Sequence, residues 1–330
     1  LYLSLGGSCI TLGPAFGPVI SGLMCTLFGW RAVFVVPLVG GIVVAAAGVK
    51  LVQNVGERSN ATLDILSVVL LAAGITAFVY SVGEFSTNLI AGIVTLFAAI
   101  VLLGLFAARQ LKLEHPVLNV RPMASVRFWP ACLLVVVSMM TTFSMSVLLP
   151  LYFEGAYGMT ALVAGLLILP AIACNAVTSI VGGRVMDARG AWPLLPVGFA
   201  LIAVGQTAIS MTAASMNIGV VVALTVVVYA GVGLVLSPSQ TAGLETLPAA
   251  EHPHGTALLN TWNMIAASFG PSLFIGLLSS SAATAGAAGV VTDVGQAIGF
   301  AAAVRVAAVI AVVGFVASLV YARRESHMSH

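Results

Sequence analysis

Ten apolar segments, each about as long as a bilayer is thick, dominate this sequence. An α-helix needs about 20 apolar residues to cross the hydrocarbon core of a membrane. The segments do not alternate between polar and apolar residues as the strands of a membrane barrel do. We therefore predict an all-α integral membrane protein with about ten transmembrane helices. The predicted spans are approximately residues 1–28, 32–52, 64–82, 89–108, 128–152, 161–181, 194–213, 218–237, 256–281 and 299–321.

Composition excludes a soluble domain. Charged residues make up 7% of the 330 positions and hydrophobic residues 60%, whereas a soluble domain carries roughly 25% charged residues. The net charge of +2 is spread over short, separate connections, so no nucleic-acid partner is expected. The cysteines all lie within apolar segments, where we expect small packing residues and no disulfide framework. They are Cys9, Cys25, Cys132 and Cys174.

The basic residues fall almost entirely on one side of the predicted spans. Arg31 is the clear exception, and Arg305 lies a few residues inside the last span. By the positive-inside rule the basic side is cytoplasmic, so the first span crosses outward and the carboxy terminus is in the cytoplasm. We expect a multi-pass protein of the cell (plasma or inner) membrane. The residues on the basic side are Lys50, Arg58, Arg109, Lys112, Arg121, Arg127, Arg184, Arg189, Arg323 and Arg324.

A short charged segment, residues 182–193, joins two of the spans, and we expect it to form a loop at the membrane surface. Its pattern Gly183-x-x-x-Asp187-x-Arg189-Gly190 resembles the cytoplasmic loop G-x-x-x-D-x-x-G-[RK] of the major facilitator superfamily. The match is incomplete, because Ala191 and Trp192 stand where a basic pair is common. In that family the charges of the loop help to hold one conformation. The resemblance thus implies a conformational latch formed by Gly183, Asp187, Arg189 and Gly190.

The first span carries a glycine-proline pattern around Gly13-Pro14. It is similar to the antiporter motif G-x-x-x-G-P-x-x-G-G in the fifth helix of facilitator-type exporters, with Cys9 and Pro18 in place of two glycines. Small residues let two helix backbones approach closely. The resemblance implies interface packing by Gly13, Pro14, Gly17 and Gly22.

The spans 64–82 and 89–108 contain no proline, unlike most others, and resemble the two extra helices of fourteen-helix drug:proton antiporters. The similarity covers nearly the whole chain and corresponds to helices five to fourteen, so we expect an amino-terminally truncated chain. The implied domains are a remainder of the amino-terminal bundle at 1–52, an extra hairpin between the halves at 53–108, a cytoplasmic linker at 109–127 and a carboxy-terminal six-helix bundle at 128–330.

The resemblance implies a secondary active transporter that exports small lipophilic or cationic compounds in exchange for protons, by alternating access. Its partners would be the substrate, protons and the lipid bilayer, and we expect a monomer that uses the proton gradient and no cofactor. Two alternatives stay open: a facilitator-fold transporter of another metabolite, and a non-functional truncated gene product. An enzyme is disfavoured, because no Walker loop, Gly-x-Ser-x-Gly elbow or His-Glu-x-x-His pattern occurs. His252-Pro253-His254 lacks further ligands, so no metal site is expected.

Ionisable residues deep in a membrane are costly and usually functional, yet no acidic residue lies near the middle of a predicted span. Glu154 is the nearest substitute for a proton-coupling acid, with a position at the membrane interface as the favoured alternative. Arg305 is expected to reach the outer surface with its long side chain. Family geometry turns spans 128–152 and 218–237 toward the central cavity, although helix packing explains each single lining residue equally well. The candidate lining is Thr142, Phe143, Met145, Asn175, Tyr229, Asn260 and Asn263.

Overall fold

The computed structural model describes residues 17, 20–51, 64–84, 88–113, 116–190, 192 and 194–326, and this part of the chain is helical without a strand. Nine helices within it are long and apolar enough to cross a membrane. The prediction of an all-α membrane protein is therefore confirmed. The first predicted span, 1–28, lies mostly outside the described residues, although residues 20–28 are helical.

The helices are named α1 to α9 in chain order. Short 3-10 turns precede α1, α4 and α8 and follow α6. The bounds are α1 Val35–Leu51, α2 Ile65–Glu84, α3 Leu89–Lys112, α4 Phe128–Tyr157, α5 Ala161–Arg189, α6 Leu194–Thr212, α7 Ile218–Glu245, α8 His252–Ala287 and α9 Thr292–Ser326.

The last two helices, α8 and α9, are longer than the spans predicted for them, 256–281 and 299–321. The small polar residues that seemed to end the first of these spans remain helical. The hydroxyl of Thr284, for example, donates to the carbonyl of Ser280 one turn earlier, at 2.9 Å. The two helices also meet there, since a Cβ on Gly295 would lie 3.6 Å from the carbonyl oxygen of Ala282 and 3.9 Å from the Cβ of Ala285. Their added length is thus stabilised by pairing with each other.

Side chains and glycines define where several helices begin and end. The side chains of Asn88, Thr160 and Asn217 accept hydrogen bonds from the first turns of α3, α5 and α7, as N-cap residues do. Gly158 ends α4 with a φ of 64°, a left-handed conformation that glycine adopts without strain. The turn from α4 to α5 is therefore short, and the two helices run antiparallel.

Helices α4 to α9 form a bundle around α4, which packs against α7, α8 and α9 and has more than half of its residues buried. Two tyrosines hold opposite ends of this bundle together, and these ends are called outer and inner after the orientation that the basic residues predict. At the outer end, the Tyr152 hydroxyl donates to the Ala213 carbonyl at 2.9 Å, and its ring stacks on Phe300 of α9. At the inner end, the Tyr321 hydroxyl donates to the Ala242 carbonyl at 3.2 Å. The pair α2–α3 packs along α8.

Candidate functional site

One side of α4 is left partly open by the surrounding helices. Its half-exposed residues recur at helical spacing, so that they form one stripe: Leu133, Val136, Phe143 and Val147. The exposed Glu154 stands at the outer end of the same helix. The open side is therefore an apolar surface with one aromatic ring in its middle and one carboxylate near its outer edge.

Tyr229 of α7 points between α4 and α5, into a crevice that we call the groove, where its side chain is almost completely buried. Gly233 faces α5, because a Cβ there would lie 2.6 Å from the carbonyl oxygen of Asn175. Gly243 faces α4, because a Cβ there would lie 2.9 Å from the Cβ of Ala131. A helix turns by about 100° per residue, so Tyr229 points between these two directions, about 40° from each.

The structure brings two predicted lining residues together at this groove. The side-chain amide of Asn175 donates to the backbone carbonyl of Tyr229 at 3.1 Å. Both residues are 5% exposed. The bond satisfies the amide nitrogen of Asn175 and ties α5 to α7 at the level of the tyrosine ring.

Three further predicted lining residues lie on α4, and only one of them is on the open side. Phe143 is half-buried within the exposed stripe. Thr142 donates its hydroxyl to the Ser138 carbonyl at 2.9 Å, which is a bond within its own helix. Met145 is fully buried in the core of the bundle, so in this structure it supports the site from behind. The sequence shows which residues share a helix, but their direction depends on the neighbouring helices.

The two asparagines predicted on α8 have different surroundings. Asn260 is exposed. Asn263 is 5% exposed, and its side-chain oxygen has no hydrogen-bond partner in the described part of the chain. A buried acceptor without a partner is costly, which makes Asn263 a candidate for contact with a ligand or water.

The charged segment predicted as a loop is largely helical, which corrects that expectation. Helix α5 continues through Gly183 and Asp187 to Arg189. Gly190 ends it with a φ of 75°, and its N–H donates to the Met186 carbonyl at 2.9 Å. Gly182 allows close packing and does not form a turn. A Cβ on it would lie 3.3 Å from a backbone oxygen of α7. Glycine weakens a helix by only about 1 kcal/mol, so close packing of α5 on α7 outweighs it.

Within this segment Asp187 is exposed at the inner end of α5. Among the side chains that the structure describes, it makes no ion pair. The backbone of Gly183, Asp187, Arg189 and Gly190 thus spans the last two turns and the cap of one helix. Their role as a latch stays a prediction.

The antiporter-motif residues are described only in part. Gly13 and Pro14 lie outside the described residues. Gly17 has no heavy atom within 4 Å of the position that a Cβ would take. Gly22 is buried, and a Cβ there would lie 2.6 Å from the carbonyl oxygen of Ala161 at the start of α5. The helical residues 20–28 therefore meet the bundle at the outer end of α5, through backbone contact at Gly22.

The single arginine predicted inside a span lies on an exposed helix face. Arg305 shares this face of α9 with Val309 and Val316. Little more than one turn earlier, Phe300 stacks on Tyr152 near the outer end of α4, with ring centroids 4.2 Å apart. The expected snorkelling of Arg305 to the outer surface stays a prediction.

Gln206 is a polar residue that the sequence reading did not single out. It lies within α6, is fully buried, and neither its amide oxygen nor its amide nitrogen has a hydrogen-bond partner among the described residues. The signal in the sequence was available, since it is an amide side chain in the middle of an apolar span.

Replacing Gln206 by leucine is expected to stabilise the protein by about 1–3 kcal/mol, because the change removes a buried amide without partners and keeps a similar volume. Thermal unfolding of the purified protein in detergent measures the effect as a higher midpoint. Leucine in place of the exposed Asn260 is the control and should leave the midpoint nearly unchanged. A lower midpoint for Gln206→Leu would mean that the amide has a partner, such as a bound water.

Comparison with known proteins places the chain among membrane transport proteins. The profile of the Major Facilitator Superfamily matches residues 1–271. The lincomycin resistance protein LmrB of Listeria monocytogenes is 31% identical over 277 residues, which are 83% of this chain and 59% of the relative. The MFS-type transporter YcnB of Bacillus subtilis is 32% identical over 96% of this chain and 67% of its own length. A multidrug resistance protein B homolog of Mycobacterium tuberculosis is 25% identical over 84% of this chain and 53% of its own length. The chain thus spans a little more than half the length of several curated relatives.

Proposed function

Since the chain belongs to the major facilitator superfamily, we propose that it exports small lipophilic or cationic compounds across the cell membrane in exchange for protons. The observation that carries the proposal is the open apolar side of α4, with Phe143 on it and Tyr229 in the groove beside it. The names of the relatives, which refer to lincomycin resistance and to multidrug resistance, point in the same direction.

The chemistry of the open side favours varied lipophilic ligands. The aliphatic surface of the open side accepts ligands of varied shape, and it consists of Leu133, Val136 and Val147. The rings of Phe143 and Tyr229 can pack against aromatic or cationic compounds. Every acidic residue in the described part of the chain lies near a helix end. Selectivity would then come from apolar contact and a few hydrogen bonds, which suits a broad substrate range.

Alternating access is supported by the contact at the outer end of α5. The close approach of Gly22 to Ala161 holds residues 20–28 against the bundle on that side. Helix α1 follows residues 20–28 toward the inner side. By contrast, none of its residues is buried. The structure would then represent a state that is closed at the outer side, and transport would need this contact to open.

Tyr229→Ala is expected to weaken transport of lipophilic cations, raising the half-saturating concentration about tenfold, because a ring is worth about 1–2 kcal/mol in such a contact. Tyr229→Phe keeps the ring and should retain most of the affinity. The concentration dependence of efflux measures both variants at equal membrane abundance. Equal affinity of the alanine variant and the parent protein would remove Tyr229 from the site.

Asp187→Asn is expected to reduce efflux about tenfold without changing the amount of protein in the membrane, because a latch charge biases one conformation by about 1–3 kcal/mol. Glu245→Gln is the matched control, since Glu245 is also an exposed carboxylate at the inner end of a helix. Unchanged efflux for Asp187→Asn at equal abundance would remove the latch assignment.

The proposal is tested with the gene product at its natural length in cells that lack their main efflux pumps. Ethidium and lincomycin are the probes, and the expected result is energy-dependent efflux that stops when an uncoupler collapses the proton gradient. Efflux that survives the uncoupler would exclude proton exchange. The absence of efflux for every lipophilic probe would favour transport of another metabolite or a product that does not transport.

A further inference from the structure

The hairpin α2–α3 is attached to the outside of the bundle along α8. Phe78 of α2 stacks on Phe269 of α8, with ring centroids 5.3 Å apart and planes inclined by 19°. Aromatic stacking of this kind adds about 0.5–1.5 kcal/mol to the packing of the two surfaces. Phe269 lies at the middle of α8 and Phe78 in the second half of α2, so the contact lies within the apolar length of both helices.

Nearer the cytoplasm, a second apolar contact joins the hairpin to the start of the bundle. Phe106 of α3 and Leu118 of the connection that follows are buried in one cluster with Phe128 of α4 and Leu258 of α8. Trp262 of α8 packs against the same cluster. Between apolar helices in lipid, association depends on such close packing, so this cluster makes α3, the connection and α4 one packed unit.

A buried chain of hydrogen bonds strengthens this unit. The side-chain amide of Gln110 on α3 donates to the Ser67 hydroxyl of α2 at 2.6 Å, and its oxygen accepts the backbone N–H of Leu118 at 3.1 Å. Gln110 and Ser67 are almost completely buried. Both the nitrogen and the oxygen of the Gln110 amide are hydrogen-bonded and buried. Moving the connection away from the hairpin would therefore leave the amide oxygen and the Leu118 N–H unpaired, at a cost of about 1–3 kcal/mol each.

An ion pair completes the inner end of the hairpin. Arg109 of α3 donates to both carboxylate oxygens of Asp64, at 2.7 and 3.1 Å. The Arg109 guanidinium and the Ser67 hydroxyl hold the pKa of the Asp64 carboxyl at about 2, so the pair stays charged at cellular pH. The arginine side chain is 40% exposed, and such pairs add little stability. The buried amide bonds therefore carry the attachment, and the ion pair aligns α2 with α3.

Among the described residues before the hairpin, 17 and 20–51, contacts with the bundle are fewer. No residue of α1 is buried. Residues 20–28 contact the bundle at Gly22, at the outer end of α5. The hairpin thus has stacking, an apolar cluster and a hydrogen-bond chain on the side of the bundle, whereas no residue of α1 is buried.

We infer that α2, α3 and the connection 116–127 move together with α4–α9 as one rigid body during transport. The boundary between the two moving bodies then lies before Asp64. The expectation from the sequence was different, since it placed a hairpin between the halves and a linker at 109–127. The inference rests on the proposed alternating-access function, which requires two bodies that move against each other.

The test uses the natural-length gene product with its cysteines replaced by alanine. New cysteines at Phe78 and Phe269 are joined by a short bifunctional methanethiosulfonate, which forms a disulfide with each cysteine, releases sulfinate, and pins the hairpin to α8. We expect the cross-linked protein to keep at least half of its ethidium efflux. A fall below half that a reductant restores would overturn the inference, because the hairpin would then have to move relative to α8.

A second cysteine pair is the matched control. Cysteines at Ser21 and Leu162, beside the contact of Gly22 with Ala161, pin residues 20–28 to α5. This cross-link should reduce efflux more than tenfold, and the reductant should restore it. Full efflux in this control would contradict alternating access, and hence the proposed function. The result for Phe78 and Phe269 would still decide whether the hairpin moves relative to α8.

Distances between spin labels provide a measurement that does not depend on efflux. Labels on two exposed residues, Ile90 at the start of α3 and Ser215 after α6, measure the distance between the hairpin and the bundle. Labels on the exposed Phe28 and on Ser215 measure the distance between the amino-terminal segment and the bundle. On a change of pH or addition of ethidium, the Ile90–Ser215 distance should stay constant while the Phe28–Ser215 distance shifts by several ångström. A shift of the Ile90–Ser215 distance by a similar amount would overturn the inference.

Discussion

Replacing Gly22 by leucine is expected to reduce efflux at least tenfold in the natural-length gene product. A Cβ on Gly22 would lie 2.6 Å and 2.8 Å from the carbonyl oxygen and carbon of Ala161, and 3.0 Å from the backbone nitrogen of Leu162. These are backbone atoms, which cannot rotate away as a side chain can. Overpacking of this kind costs about 1–3 kcal/mol, so the proposed state that is closed at the outer side should lose about one to two powers of ten in population. Efflux per molecule in the membrane measures the effect.

A glycine in open space is the control for this substitution. Gly104 of α3 is exposed and has no heavy atom within 4 Å of its Cβ position. Gly104→Leu should therefore leave efflux unchanged, apart from any general effect of a larger side chain in a helix. Full efflux by Gly22→Leu would show that the contact with Ala161 does not form in any essential state of the cycle.

Replacing Gly233 by leucine is expected to prevent the bundle from forming, with a loss of about 3 kcal/mol or more in the free energy of unfolding. A Cβ there would collide with the Thr178 hydroxyl and would lie 2.6 Å from the Asn175 carbonyl oxygen and 2.9 Å from the Ser179 backbone nitrogen. Helices α5 and α7 would have to separate along their whole crossing. Size-exclusion profiles and thermal unfolding in detergent should show little folded protein.

The matched control lies on the same helix. A Cβ on Gly219 would meet only the side-chain oxygen of Asn217, at an ordinary 3.6 Å. Gly219→Leu should therefore give a normal profile and a midpoint close to that of the parent protein. If Gly233→Leu folded as well as Gly219→Leu, the close crossing of α5 and α7 would be disproved.

The positions of the membrane helices could be predicted because hydropathy is a local property, and nine of the ten predicted spans correspond to a membrane-length helix in the described part of the chain. Backbone groups in a lipid environment must be bonded within the segment itself, so an apolar run of sufficient length is helical whatever surrounds it. The predictions were less accurate at the helix ends. Residues 182–189 were expected in a loop because of their glycines and charges, yet they continue α5. There Gly182 lies against α7. No local sequence pattern reveals this close approach.

The candidate site could be predicted only in part. Phe143 and Tyr229 were named because of their helix and residue type, and they lie at the open side of α4 and in the groove beside it. Met145 was named on the same grounds but lies in the core. One residue of difference turns a side chain by about 100°. The direction of each therefore depends on which helices surround α4, and these come from distant parts of the chain.

Sequence alone was enough to establish the membrane-spanning helical class, the approximate spans and the resemblance to the major facilitator superfamily, because apolar length and short motifs are written in neighbouring residues. Only the tertiary structure decided that Gly22 meets Ala161, that Gln206 is buried without a partner, and that Phe78 stacks on Phe269. The physical reason is that all lipid-exposed and core faces of such helices are similarly apolar. Hydropathy therefore cannot tell them apart, and steric fit between distant helices selects the contacts.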